Sequence, residues 1–426
     1  MPRPQRILRN IIDPAVTGPA ADVDAQIHAA LDRLAGDMPA LGLAVSGGGD
    51  SVALMHVAVN WARGRRLMVA TVDHGLRAGS AAEAKAVARM ARNLGLPHVT
   101  LLWRRDTDIG NLMAQARDAR LRLLSGWARR NDLPAVALGH TADDLAETLM
   151  MRLARGSGID GLSAMAEWRD AFDMRWLRPM LGTGREDLRH WLRVRDIAWF
   201  DDPTNDNADF DRVRARKAIA ALGLDVASLA RSAGHISEAR DALRSYAAQV
   251  AAEAEADRGS LVLPQGPLRD APAEIRRRIL VAACRWVTGS DYPPRRVTMV
   301  HALKAMMSQG RVTLDGAMIS AAGGWLRITR EAAAALRAPD AAGGSWDRRW
   351  RVSGLSEGQH VAAVGSDALP EFNWRVSGLL RDEAAASPAV WQGDRLIAAP
   401  LLQPQPGIGV TPLRGAADFH RLVKAH

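Results

Sequence analysis

From Leu41 onward, short apolar runs alternate with longer helical stretches, and this alternation limits the chain to few architectures. Leu41–Val45, Leu67–Val72, His98–Trp103 and Ala135–Leu138 read as strands. Ser51–Arg63, Ala81–Leu94, Asn111–Asn131 and Ala142–Arg155 read as the helices that follow them, with Val23–Ala35 as a further helix ahead. Strands interleaved with helices of this length build a parallel sheet with helices on both faces. In such sheets a ligand sits beyond the carboxyl ends of the strands, so the residues at those ends are the candidates for chemistry.

The end of the first strand carries Ser46-Gly47-Gly48-Gly49-Asp50-Ser51. Three successive glycines let the backbone approach an anion closely, and the helix N-terminus behind them supplies partial positive charge. The segment reads as a pyrophosphate cradle in which Asp50 offers an oxygen to a magnesium ion bridging the phosphates. A tight turn capped by Ser51 or Asp50 is the plainer alternative. The chain's lysines stand at 85, 217, 304 and 424 and none follows a glycine, so a Walker A loop is excluded.

Two further motifs fall at strand ends. Val72-Asp73-His74-Gly75-Leu76-Arg77 closes the second strand, where Asp73 and His74 are placed to meet a nucleotide or substrate. Gly139-His140-Thr141-Ala142-Asp143-Asp144 opens the helix after the fourth strand and continues to Glu147. Thr141 and Asp144 have capping-box spacing, yet a cap needs one acid and the segment offers three, a set suited to a cationic group or to magnesium. Thr183 and Glu186 form a second such box, followed by Arg185, Arg189 and Arg193 at helical spacing. Gly156-Ser-Gly158-Ile-Asp-Gly161 fits a dinucleotide fingerprint but follows a helix instead of a strand, so a dinucleotide site there is not expected.

Composition narrows the partners. The 426 residues carry a formal charge of +9, and Ala271–Trp350 alone holds 13 basic against 6 acidic residues. A basic second domain suits a polyanion such as RNA. One cysteine, Cys284, excludes an internal disulfide, a cysteine-built zinc site and a two-cysteine sulfur relay; a small buried hydrophobe is its simplest reading. No apolar run is long enough to span a bilayer and the basic start MPRPQRILRN has no apolar segment behind it, so the reading is a cytoplasmic protein without a membrane partner. The expected organisation is a tail at 1–22, a nucleotide-binding catalytic domain at 23–217, a helical connector at 218–258, a basic RNA-binding domain at 259–340 and a β-rich module at 341–426. Within the last part, Trp350-Arg-Val-Ser-Gly-Leu355 recurs as Trp374-Arg-Val-Ser-Gly-Leu379 and reads as a pair of similar strands.

The glycine loop resembles that of the N-type ATP pyrophosphatases, the PP-loop superfamily with its adenine nucleotide α-hydrolase-like fold. With the other two motifs, and with Arg155–Leu162, Arg178-Pro-Met-Leu181 and Asp202-Pro-Thr-Asn205, the chain is similar to the tRNA(Ile)-lysidine synthetases over residues 40–216. That resemblance implies ATP and Mg2+ as cofactors. It also implies adenylation of the wobble cytidine of tRNA(Ile) with anticodon CAU, then displacement of AMP by free lysine. Ser46, Gly47, Gly48, Gly49, Asp50, Ser51, Asp73, His74 and Gly139 would bind ATP, with Asp50 also holding magnesium. Asp50 and Arg117, the latter in Ala116-Arg-Asp-Ala-Arg120, would be catalytic, and Asp144 and Glu147 would hold lysine. Arg178, Arg212, Arg214 and Arg216 would meet tRNA, and a homodimer is allowed. The competing readings are a tRNA thiolase or an ammonia-dependent synthetase with the same loop, or a non-catalytic RNA-binding protein that senses nucleotide.

Overall fold

The computed structural model describes residues 23–75, 79–104, 112–201, 209–294, 298–299, 301, 310–339 and 345–425. The tail at 1–22, Leu76 and Arg77 of the second motif, Asp202-Pro-Thr-Asn205 and the linker at Ala341–Gly344 lie outside them. The chain divides into two compact units, Met1–Arg240 and Asp241–His426.

In the first unit, α1 (Val23–Ala35) precedes β1 (Ala40–Ala44), α2 (Gly49–Ala62), β2 (Arg66–Asp73), α3 (Ser80–Asn93), β3 (His98–Leu102), α4 (Leu112–Arg130), β4 (Ala135–Leu138) and α5 (Ala142–Ala154). A hairpin the sequence reading did not anticipate, β5 (Trp168–Ala171) and β6 (Met174–Leu177), extends the sheet to the order β3-β2-β1-β4-β6-β5. The strands run parallel except β5 at the edge. Sheet residues of one parity, Leu41, Leu43, Leu67, Val69, Ala135 and Ala137, join the core that holds α1, α2 and part of α3. Their alternates Ala40, Ala70, Val136 and Leu138 join the core under α4. This period of two, apolar on both sides, is what a sheet covered on both faces requires. Gly42 shows how tight the second face is: a Cβ there would stand 3.0 Å from the Trp127 ring.

The strand order reverses at β1, whose neighbours are β2 and β4. The crevice outside the carboxyl ends of β1 and β4 is therefore the switch point where open α/β sheets bind ligands. The first unit continues through α6 (Ile159–Leu162), α7 (Arg185–Val194) and α8 (Asp211–Ala221), and α9 spans Val226–Val250.

The second unit has a five-stranded antiparallel sheet, strands Glu255–Asp257, Ser260–Pro264, Trp325–Arg330, Ala317–Ala322 and Arg311–Leu314 in spatial order. Helix α10 (Gln265–Asp270) and helix α11 (Ala273–Thr288) follow its second strand, and α11 buries Ile275, Ile279 and Ala283 in one core with Phe419 and Val423 of the helix Ala416–Ala425. Two three-stranded sheets complete the unit. Much of its basic charge is spent internally: Arg277 and Arg278 pair with Glu274, Arg311 with Asp382, Arg327 with Asp257 and Glu383, and Arg330 and Arg349 with Asp347.

The repeated hexapeptide requires a correction. Trp350–Ser353 is a strand, but Trp374–Ser377 is a 3₁₀ helix. Strand Trp350–Ser353 has partners on both sides, Ser345–Trp346 and Gly409–Pro412, and buries Trp350 and Val352. The second copy has no ladder and leaves Val376 80% exposed. Strand preference here is a property of the surface a segment packs on, not of its residues alone.

Cys284 lies on α11, 1% exposed, and burial followed by the Asp315 charge pushes its thiol up to about 12. A thiol that stays protonated is a poor nucleophile. The folded chain is expected to resist a maleimide or disulfide reagent at pH 8 and to react fully once unfolded. Because the unfolded thiol ionises at its ordinary 9.0 and the folded one only near 12, stability should fall as pH rises through that window. Fast labelling of the native protein would overturn this placement.

Candidate active site

The glycine loop turns directly out of β1 into α2. Gly47 has φ +96°, and a Cβ on it would stand 3.1 Å from the Phe200 ring and 3.2 Å from Val87, so glycine is required both for conformation and for space. Phe200 is fixed there by its amide, which donates to the Gly47 carbonyl at 3.0 Å. Gly48 is the N-cap of α2 and brings no side chain to cap it. Ser51, from the first turn, donates through Oγ to the Gly48 carbonyl at 2.9 Å and accepts the Ser46 amide at 3.1 Å. The serine hydroxyls therefore brace the loop from inside, while the helix start keeps its positive end for a ligand.

Gly139 belongs to the same construction. A Cβ on it would stand 3.1 Å from the Ser51 backbone, so the loop after β4 lies against the loop after β1. Next to it, Thr141 and Asp144 form the expected capping box at the start of α5, the Thr141 amide donating to Asp144 Oδ2 at 2.9 Å.

A cavity of about 420 Å3 opens at this point. Among the residues expected in the site, it is lined by Ser46, Gly48, Gly49, Asp50, Ser51, His74, Arg117, Gly139, Asp144, Arg212 and Arg216. Gly47 stands behind the loop. Asp73 is turned into its own bend, accepting the Gly75 amide at 2.9 Å; a hydrogen bond from Ser80 and then that amide hold its carboxyl below the usual range. His74 packs edge-on against Trp103 with ring centroids 5.8 Å apart. The Gly156–Gly161 loop forms no part of the lining; Gly158 caps the short helix α6. Arg178 is buried at 4% exposure, donating to the Ala166 carbonyl at 2.6 Å, so it presents no surface to RNA.

Arg185 is the residue the sequence reading misplaced. Its helix starts at Arg185 itself with Gly184 as N-cap, so Thr183 does not cap it as expected. Asp143 does so from across the site, accepting the Arg185 amide at 2.7 Å. Side chains in a first helical turn lean back toward the N-terminus. Arg185 therefore leaves the stripe expected with Arg189 and Arg193 and enters the cavity, bridging Asp50 at 3.2 Å and Glu147 at 3.1 Å. Arg189 instead pairs with Glu186 and Asp201, and Arg193 with Glu186.

The acids are thus held by arginines. Glu147, 2% exposed and outside the cavity lining, is shared by Arg185 and by Arg216 at 3.0 Å. Asp144 takes Arg212 at 3.2 Å. Arg212 and Arg216, four apart on α8, face this cluster, whereas Arg214 turns outward to Asp211. Burial lifts Asp50 above the usual carboxylate range despite Arg185, helped by Asp144 and Asp143. Burial disfavours charge on Asp144 too, but Arg212 and the Thr141 amide outweigh it and hold the carboxyl below its usual range. Burial keeps the His140 imidazole neutral, near 3. Among the described residues no group of three or more His, Cys, Asp or Glu could hold a metal by itself.

A PP-loop domain model matches residues 20–222. The tRNA(Ile)-lysidine synthase of Ruegeria pomeroyi is 44% identical over 398 residues, which is 91% of this chain and 94% of that protein. Those of Bradyrhizobium diazoefficiens and Rhodopseudomonas palustris are 40% and 39% identical over 68% of this chain and 89% and 90% of theirs.

Removing one partner of a buried ion pair strands the other, at a cost of about 3–5 kcal/mol. Arg185→Met is expected to lower unfolding free energy by about 3 kcal/mol. Adding Glu147→Gln should recover about half of that, because the stranded charge is then gone. Denaturant titration of the single and double variants checks this; an additive double variant would remove the bridge from the account.

Proposed function

We infer the reaction from one premise: the chain belongs to the tRNA(Ile)-lysidine synthase family. It is an ATP-dependent ligase that joins free lysine to the wobble cytidine of the CAU anticodon of tRNA(Ile), through an adenylated cytidine, releasing pyrophosphate and AMP. The observation that carries this reading is the convergence, at one switch point, of an uncapped glycine loop with the acid and arginine clusters that begin α5 and α8.

The 2-oxo oxygen of cytosine is a poor leaving group until it is bonded to phosphorus. Its attack on the α-phosphate of ATP breaks the bond to pyrophosphate, which the Ser46–Ser51 loop receives through backbone amides and the α2 dipole. Arg117, on the cavity wall, offsets negative charge that builds on the α-phosphate. Asp50, which lines the cavity beside the glycine loop, would be the residue to hold a magnesium ion, since such an ion typically needs only one or two protein carboxylates. When bound, that ion supplies further charge neutralisation on the phosphates.

In the second half the lysine ε-amine, as the free base, forms the C2–N bond while the C2–O bond breaks and AMP leaves with the oxygen. Asp144 reaches the cavity and takes part in holding lysine; Glu147 contributes by fixing Arg185 and Arg216. Arg212 and Arg216 line the approach to the cavity and Arg214 lies on the outer face of α8, where tRNA phosphates neighbouring the flipped base would contact them. The basic stretch of the second unit is the further tRNA-binding surface, and the reaction takes place in the cytoplasm with its tRNA. The thiolase alternative is disfavoured, because the single thiol, Cys284, is buried.

The test is an assay with ATP, labelled lysine and unmodified tRNA(Ile) transcript. Lysine incorporation is expected only with all three present, with AMP released in step. Asp50→Ala should cut AMP formation more than about a hundredfold while tRNA affinity stays within a few-fold. Tight tRNA binding without AMP release by the wild type would favour a nucleotide-sensing binding protein, and unchanged turnover in Asp50→Ala would sink the loop assignment.

A further inference from the structure

Arg185 joins Asp50 to Glu147, and the way its bonds are shared leaves it able to change partners. Its backbone is fixed. Asp143 accepts its amide at 2.7 Å, and the Thr183 carbonyl accepts the Ala142 amide at 3.0 Å, so the start of α7 is tied to the start of α5. Its guanidinium is divided: Nε donates to Asp50 Oδ2 at 3.2 Å and Nη1 to Glu147 Oε1 at 3.1 Å, while Nη2 has no hydrogen-bond partner among the described residues. Glu147 Oε1 also takes Arg216, yet Glu147 Oε2 is sealed from solvent without a partner. A buried carboxylate oxygen left unpaired is costly, so the bridge is not the arrangement that satisfies Glu147 best.

The charges around the cavity identify what would displace the bridge. Six arginines and three aspartates line it and Glu147 stands behind, so positive charge is in excess. A free divalent cation is opposed by that field, and it meets an Asp50 already neutralised by Arg185. A triphosphate that carries its cation is an anion overall and meets the opposite field. Asp50 has no other arginine: Arg212 and Arg216 go to Asp144 and Glu147, and Arg189 goes to the exposed acids Glu186 and Asp201.

Resting on the ATP-using reading of the glycine loop, we propose that Arg185 is an exchangeable cation. It holds Asp50 in the nucleotide-free protein and excludes a free metal ion there. When the nucleotide delivers its own cation to Asp50, Arg185 moves onto the phosphates. Asp50 therefore has either the guanidinium or the metal as its partner.

The bonding pattern supplies both states. Nε and Nη2 form one edge of the guanidinium, and in the bridge only Nε is used. Once Asp50 is taken, that edge presents two parallel donors, the fork that matches two phosphate oxygens. Glu147 is the pivot: Nη1 stays on it, and the unused Oε2 gives that nitrogen a second place to bond as the head turns. The exchange imposes an order, in which metal enters with the nucleotide and not before it. When pyrophosphate departs, Arg185 returns to Asp50 and the carboxylate is not left unpaired.

The experiment reads binding instead of turnover. Mn2+, followed by electron paramagnetic resonance, is titrated into nucleotide-free wild type, Arg185→Lys, Arg185→Met and Arg185→Met with Glu147→Gln, the last being the more stable of the two Met variants. Wild type and Arg185→Lys are expected to take up no more Mn2+ than an Asp50→Asn control. Both Met variants should bind at least about tenfold more tightly, because the like charge beside Asp50 is gone. Adding Asp50→Asn to the double variant should erase the gain. Calorimetric titration with Mg2+ and α,β-methylene-ATP reads the other state: the Met variants should bind about tenfold more weakly than wild type, the scale of a charge-assisted contact, and Arg185→Lys should keep most of the affinity. A wild type that binds Mn2+ without nucleotide as tightly as the Met variants, or Met variants that keep full affinity for the analogue, would reduce Arg185 to a structural brace and overturn the proposal. Should a Met variant fail to fold, Mn2+ uptake by nucleotide-free wild type above the Asp50→Asn control is enough to overturn it. A wild type that binds no analogue at all would instead remove the ATP-using reading, and the proposal with it.

Discussion

The contact between Gly139 and the Ser51 backbone fixes everything else in the site. It sets the loop after β4 against the loop after β1, so that α2 and α5 begin side by side at the point where the strand order reverses. Two helix starts placed together concentrate backbone N–H groups and acidic first-turn residues in one small volume. A side chain at 139 would force these starts apart, and the glycine loop would no longer face Asp144 across a cavity. The parallel sheet makes this possible, because covering both faces with helices leaves only the strand ends open to a ligand.

Within that volume, polarity is divided by kind. The nucleotide end is built from dipoles: three glycines, an unoccupied cap and two serines bonded to the loop itself. Dipoles of this sort accept a multiply charged phosphate without leaving a formal charge stranded when pyrophosphate departs. The other end is built from formal charges, with Arg185 bridging Asp50 and Glu147, and Arg212 on Asp144. Such pairs persist in a buried site only when most of their bonds are satisfied, so each acid has an arginine.

Much of the fold was legible before the structure. The alternating strands and helices from Leu41 to Arg155 lie within a few residues of where the periodicity puts them, and Ala135–Leu138 coincides. The glycine loop and the acid-rich helix start were legible because their residue types are expensive anywhere else. Arg185 was not, since a helical repeat with Arg189 and Arg193 looks the same whether its first member faces water or turns back over the helix end. Only the location of Gly184 as cap, one residue later than the Thr183 spacing suggests, decides it. The β5–β6 hairpin was missed because its four-residue strands, Trp-Arg-Asp-Ala and Met-Arg-Trp-Leu, are too short to show a period against their charged residues.

The identical tetrapeptides at Trp350 and Trp374 mark where sequence reading ends in this chain. Trp350 covers Gly259, where a Cβ would come within 2.4 Å of its indole, and its strand has ladder partners on each side. Trp374 follows Asn373 and its helix stops at Gly378 with φ +73°, a conformation that ends the turn before any ladder forms. The same four residues therefore take the backbone their neighbours leave open. Arg178 and Arg214 follow the same logic: both were expected to meet RNA, yet Arg178 is enclosed at the β6 exit, whereas Arg214 is turned outward on α8. Whether an arginine serves as a brace or as a partner to an acid is settled by which acceptors its surroundings offer, and in this site Arg178 finds the Ala166 carbonyl while Arg185 finds Asp50 and Glu147.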